Sequence, residues 1–176
     1  MSNRKLSVLG RLVAAIAVFG SLVAGNAYAT SGTIDVEADV VLQSTLPLSS
    51  GSSLSFGTAT ITASPGMLTM PTDNDIVSFS GGITDVDLST ARRGSFSLTA
   101  PDAGTFQITF KGRTTMANFK DASKTLYLAP AVSLVNPVAT YKNQSIDVYV
   151  GGVIMIPANT SVGAYHGVIS VSVDSK

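Results

Sequence analysis

The chain of 176 residues contains no cysteine, no tryptophan and a single histidine. Without cysteine there is no disulfide staple, no thiol nucleophile and no thiolate metal site, and a domain of this length can hold a core without cross-links. Clusters of basic residues are lacking too, which argues against nucleic acid or anionic lipid as a partner. After residue 24 no long apolar run occurs, so no membrane span is expected beyond that point. No segment sustains a helical period. The lone histidine, His166, falls by strand parity on the face opposite Tyr165 and Ile169, where a solvent-facing side chain is expected rather than a catalytic base. No Gly-x-Ser-x-Gly elbow is present. The expectation is a protein that is not an enzyme and takes no cofactor.

What is present begins with a leader. Arg4, Lys5 and Arg11 precede an apolar stretch from Leu12 to Ala24, and Ala27-Tyr28-Ala29 places small residues at the two positions a signal peptidase requires. The stretch is shorter than the roughly 20 apolar residues that span a bilayer. Residues 1–29 are therefore expected to be a cleaved signal peptide, with Ala27 and Ala29 at the cut. Residues 30–176 are expected to form one domain in the periplasm, at the cell surface or outside the cell. Three of the eleven basic residues and none of the eleven acidic ones lie in the leader, so the remainder carries eight basic and eleven acidic groups, a formal charge of −3.

Strand patterns fill the rest. From 33 to 42, Ile34, Val36, Ala38, Val40 and Leu42 share one face and Asp35, Glu37 and Asp39 the other, which is period two. This apolar face is a candidate for completing a neighbour's sheet, but pairing within its own domain as an ordinary first strand is the favoured reading, because the sandwich needs it. A Ser/Gly-rich loop is expected over 49–53, a turn at Pro65-Gly66, short strands at 67–70 and 76–80, and a break at Gly81-Gly82. Phe96 and Leu98, then Pro101-Asp102-Ala103-Gly104, then Phe106, Ile108 and Phe110 read as a β-hairpin. The stretch 111–124 reads as a loop or weak edge. Pro130 and Pro137 confine the following strand to edge or irregular positions. Ile146, Val148, Val150, Ile154 and Ile156 keep one parity across Gly151-Gly152, which suggests a long strand kinked or bulged at the glycines. After a turn at 157–161, Tyr165, Ile169, Val171 and Val173 share the inner face of the last strand. About nine strands with turns between them indicate an all-β antiparallel sandwich or barrel.

Few side chains suggest chemistry. Asp35, Glu37 and Asp39, like Asp85 and Asp87, have the spacing of the wet face of a strand, not of carboxylates facing across a cleft. Asp73-Asn74-Asp75 gathers oxygen ligands but lacks the glycine and distal glutamate of a calcium loop, so an Asx turn is favoured. No metal site is expected. Arg92-Arg93 reads as a solvated loop pair. Asn143 and Asn159 head glycosylation-type triplets. Phe119 and Tyr141 are the aromatics best placed to be exposed in loops.

Leu54-Ser55-Phe56-Gly57, Gly81-Gly82, the run from Val150-Gly151-Gly152 to Pro157-Ala158-Asn159, and Gly163-Ala164-Tyr165-His166-Gly167 together carry a resemblance. They resemble an exported bacterial β-sandwich family known as a domain of unknown function, similar in layout to the pilin-like domains of the spore coat protein U type. Phe56, Gly57, Gly151, Gly152, Pro157, Gly163, Tyr165 and Gly167 are the motif positions. The resemblance implies an immunoglobulin-like sandwich. It further implies a structural or adhesive fimbrial subunit, assembled with a periplasmic chaperone and an outer-membrane usher into a homopolymer by donation of a strand. The alternative is a monomeric periplasmic or extracellular module that binds a glycan or small ligand in its end loops.

Overall fold

The computed structural model describes residues 31–44, 47–134 and 137–175. The expected leader, with Ala27 and Ala29, lies outside the described residues. Among the described residues there are eleven strands and no helix: β1 (Gly32–Ser44), β2 (Leu48–Ser50), β3 (Leu54–Met70), β4 (Ser78–Asp87), β5 (Gly94–Thr99), β6 (Gly104–Phe110), β7 (Thr114–Asn118), β8 (Thr125–Val132), β9 (Val138–Thr140), β10 (Ser145–Ile156) and β11 (Gly163–Ser175).

Six of these strands close on themselves. Going round, β1 pairs with β3, β3 with β10, β10 with β8, β8 with β7, β7 with β11, and β11 again with β1. The result is an all-β fold with a barrel-like closure. The other strands extend this ring: β4 lies outside β3, β5 and then β2 flank β10, and β6 and then β9 flank β11. All of these pairings are antiparallel except one. β1 and β11 run parallel, from Ile34 opposite Gly163 to Ser44 opposite Val173.

Period two explains the interior. Ile34, Val36 and Ala38 of β1, Val148, Val150, Ile154 and Ile156 of β10, and Tyr165, Ile169, Val171 and Val173 of β11 are buried. Phe56, Phe96, Phe106 and Met116 fill the space between them. Each aliphatic side chain buried this way contributes on the order of 1.5–3 kcal/mol, and alternation places them without interruption along three long strands.

Several expectations fail, each for a non-local reason. The β5 and β6 segments are not a hairpin: β5 pairs with β10 and β2, and β6 with β11 and β9. Phe96, Leu98, Phe106 and Ile108 are all buried in one core. The alternation and turn residues of an arch crossing a core are the same as those of a hairpin, so local pattern does not separate them. Pro65-Gly66 is not a chain reversal but lies inside β3. There the register with β4 jumps from Ile61 opposite Ile83 to Gly66 opposite Gly81, so the residues between bulge outward. Proline is tolerated at such a bulge because no ladder N–H is required of it. Gly81-Gly82 likewise lies within β4.

The polar stretch 111–124 contains β7, whose five residues bury Thr114, Met116 and Asn118. Leu48–Ser50 forms a short strand at the start of the expected 49–53 loop. Pro130 sits in β8 opposite Gly152, beyond Leu128, where the β7 pairing ends and β8 has one ladder to maintain. β10 passes through Gly151-Gly152 as one strand with no shift of register. One edge of β10 changes partner there, from β5 up to Val150 to β3 from Gly152 onward. A Cβ at Gly151 would collide with the carbonyl oxygens of Met70 and Pro71. The glycine pair therefore serves close backbone approach rather than a kink.

Candidate functional site

The seam that receives β1 unites two groups of residues that the sequence offers separately. Ile34, Val36 and Ala38 of the candidate donation face are opposite Gly163, Tyr165 and Gly167 of the β11 motif, one to one. On the other side β1 meets β3, where Asp35 pairs with Thr58 and Glu37 with Ser55. Phe56 and Gly57 thus both stand against Val36, and β3 bulges there. Gly57 has φ +76°, the left-handed region that glycine enters without steric cost, as a bulge of this kind requires. Val40 and Leu42 continue the inner face but are only partly buried.

The outer face of β1 is engaged as well. Glu37 Oε1 lies 2.6 Å from Arg92 Nη2 and accepts a 2.7 Å hydrogen bond from the Ser53 hydroxyl. Arg92 Nη2 also donates to Ser53 Oγ at 2.7 Å, which closes a triangle. Arg92 is fixed by its backbone: its N–H donates to Ser55 O at 2.9 Å and its carbonyl accepts from Ser55 N at 2.8 Å. Ser55 is thus flanked by Arg92 on one side and Glu37 on the other, and the two long side chains meet across β3. Further along, His166 Nε2 lies 3.3 Å from Asp39 Oδ2. His166 does point away from the core, as parity requires, and is exposed.

Tyr165 anchors the seam from below. Its ring is buried, and its hydroxyl donates to Ser161 O at 2.7 Å. This satisfies the one polar atom that the ring brings into the core. Gly151, Gly152 and Pro157 lie away from β1, on β10 and in the turn that follows it.

The remaining candidates have structural partners. Arg93, expected to be merely solvated, donates its backbone N–H (2.8 Å) and its Nε (3.0 Å) to Asp75 Oδ1, and its guanidinium stands 4.1 Å from the centroid of the Tyr149 ring. The Arg93 backbone N–H is the main reason the Asp75 carboxyl is held below its ordinary value; partial burial opposes the shift and the Arg93 side chain adds to it. Asn74 Oδ1 accepts from Ile76 N, which makes the 73–75 segment an Asx turn. Asp87 and Asp121 are also lowered, through hydrogen bonds from Ser89 and Ser123. Among the described residues no three His, Cys, Asp or Glu side chains cluster as a metal would need. Asn143 (φ 59°) and Asn159 (φ 57°) both occupy left-handed turn positions, which asparagine tolerates better than most residues.

Phe119 and Tyr141 are highly exposed, but they stand far apart. Phe119 N donates to Ala164 O at the start of β11. Tyr141 follows β9, whose Thr140 pairs with Gly104 near the far end of that strand. A strand of 13 residues separates the two ends by roughly 40 Å. No one surface presents both rings.

Ser53, Arg92 and the Asp39–His166 contact were not legible as a site. The acids appear in the sequence as the wet side of a strand, and their partners come from β11 and from the loops before β3 and β5. Residues 46–175 match the family described as Domain of unknown function (DUF4402). The chain belongs to this family. The DUF4402 match starts after β1 and takes in every other strand. No curated protein and no solved structure matches the chain.

Proposed function

We propose that this is an exported, non-enzymatic structural or adhesive protein whose subunits are joined by strand complementation, with β1 of one copy filling the seam of the next. The observation that carries the reading is the place of β1. It precedes the DUF4402 segment, yet it is inserted between β3 and β11 and closes the ring. Without it the DUF4402 segment would have an open seam, with two unpaired strand edges beside the core, a template for another strand.

The finer fold on this reading is an immunoglobulin-like sandwich. The hydrogen bond from Tyr165 to a backbone carbonyl a few residues upstream is the kind of corner such sandwiches use. On this reading the sequence motifs' resemblance to pilin-like domains points to a periplasmic chaperone and an outer-membrane usher as partners and a fimbrium as the product. In that scheme the leader cut at Ala29 releases β1 close to a new N-terminus.

The test is refolding of the chain from residue 30 onward at rising concentration, followed by light scattering. Ring-closed monomers and larger species of whole-number mass are expected, in proportions set by concentration. A strict monomer at every concentration, and also with chaperone and usher supplied, contradicts the reading.

A further inference from the structure

An apolar seam alone selects its strand poorly. Ile34, Val36, Ala38, Val40 and Leu42 alternate at period two, so a slip of two residues, or another strand of the same pattern, still presents an apolar inner face. Discrimination has to come from the outer face, and there the seam is built for acids. On the β3 side Arg92 and Ser53 hold Glu37, at 2.6 and 2.7 Å. On the β11 side His166 stands 3.3 Å from Asp39. The two basic positions take different carboxylates. Arg92 reaches across β3 to Glu37, and His166, whose register partner is Glu37, meets Asp39 two residues further along β1. A slip of two residues would set an aspartate against Arg92 and would put either Glu37 or the apolar Val41 at the place facing His166. Among the described strands, β1 alone carries three carboxylates at successive outward positions.

We propose that the seam reads the acidic face of its strand through Arg92, Ser53 and His166, and that the occupant it fits is β1 of a second copy of this chain. The proposal rests on the strand-complementation reading and adds what decides partner and register. Arg92 and Glu37 are each 44% exposed on their side chains, so their charges can be reversed without burying either one. Pairing energies at such exposure are modest, but reversal replaces an attraction by a repulsion, and the double difference is what a partner choice reads.

The experiment uses full-length chains from residue 30 with two distinguishable tags. Glu37→Arg and Arg92→Glu each place like charges together within one chain. When the two variants are refolded together, both exchanged contacts become opposite in sign. The introduced arginine of one variant then faces the introduced glutamate of the other, and the native Glu37 faces the native Arg92. The expected result is a mixed-tag species several-fold more abundant than the homotypic exchanged species of either variant alone. The Glu37→Arg/Arg92→Glu double variant should return to wild-type behaviour. Should a reversal fail to fold, Glu37→Gln is refolded with tagged wild type, and the wild-type strand must then be the one preferentially taken. Exchange in the wild type with no charge preference among the variants would overturn this proposal and leave strand complementation standing. Absence of exchanged species in every sample, wild type included, would overturn both.

Discussion

The Ser44 hydroxyl donates to the carbonyl oxygen of Val173 at 3.0 Å, although the two residues are 129 apart in sequence. This bond closes the end of the parallel β1–β11 ladder, the pairing that joins the first strand to the last. Contacts of such separation are slow to form because loop closure comes before any reward. β1 is therefore expected to dock after the rest of the ring. Ile34→Ala, which removes a fully buried side chain from β1, should lower stability by about 2–5 kcal/mol. It should do so mainly by raising the unfolding rate, with the refolding rate nearly unchanged. Stopped-flow refolding and unfolding in urea measure this directly. A refolding rate that fell in proportion to stability would place β1 in the folding nucleus instead.

The bulge opposite Val36 depends on one residue. Gly57 has φ +76°, and a Cβ there would meet the Asp87 carbonyl oxygen. Gly57→Ala should cost more than about 1 kcal/mol, since both backbone conformation and space oppose the methyl. Gly104→Ala is the control, because nothing lies within 4 Å of its would-be Cβ. Thermal melts of the two variants should differ clearly, with Gly57→Ala the lower.

Tyr165→Phe keeps the buried ring and deletes the 2.7 Å hydrogen bond to Ser161 O. A loss of about 0.5–1.5 kcal/mol is expected. Because Tyr165 is the register partner of Val36, slowed hydrogen exchange at β1 amides should weaken in this variant along with global stability.

Acid should weaken the molecule through named carboxylates. Asp75, Asp87 and Asp121 are all held below the ordinary value of 3.8 in the folded chain. A carboxyl with a lowered folded pKa adds stability above its unfolded value, and that stability is lost as pH falls through the folded one. The contributions are therefore full at neutral pH and disappear below about pH 4. Asp75→Asn should be less stable than wild type at neutral pH, and the two should converge in strong acid. The gap should be small, since the Asp75 side chain is 53% exposed. Urea midpoints at the two pH values give the answer, and a gap that widened in acid would reverse the sign.

Much of this architecture is visible in the sequence wherever one strand keeps one inner face. β1, β10 and β11 are legible because Ile34 to Leu42, Ile146 to Ile156 and Tyr165 to Val173 alternate without a fault. β7 is hidden because its only apolar side chain of any size is Met116, and Thr114 and Asn118 are buried by neighbours rather than by their own character. Pro65-Gly66 and Gly81-Gly82 carry the marks of turns, yet each lies in a continuous strand because a bulge, like a turn, is a place where the ladder does not need a regular residue. β5 and β6 look like a hairpin because a local pattern records which face is apolar and not which strand lies alongside. The same limit applies to the candidate site. The inner face of β1 and the Gly163–Tyr165–Gly167 motif stand out separately, but nothing local says that they pair, nor that Arg92 lies across β3 from Glu37.

The central claim is that the seam between β3 and β11 accepts β1 from another copy, and the absence of native cysteine allows a clean test. Asp35 and Ala164 are register partners on the exposed face of the β1–β11 ladder. Adjacent strands lie about 4.8 Å apart, within reach of a disulfide. Asp35→Cys and Ala164→Cys are made in separate, differently tagged chains, refolded together and oxidised. The account predicts a covalent species holding one copy of each, in excess over either variant oxidised alone. A mixed disulfide no more abundant than those controls, while the Asp35→Cys/Ala164→Cys double variant closes its bond within a single chain, would contradict it.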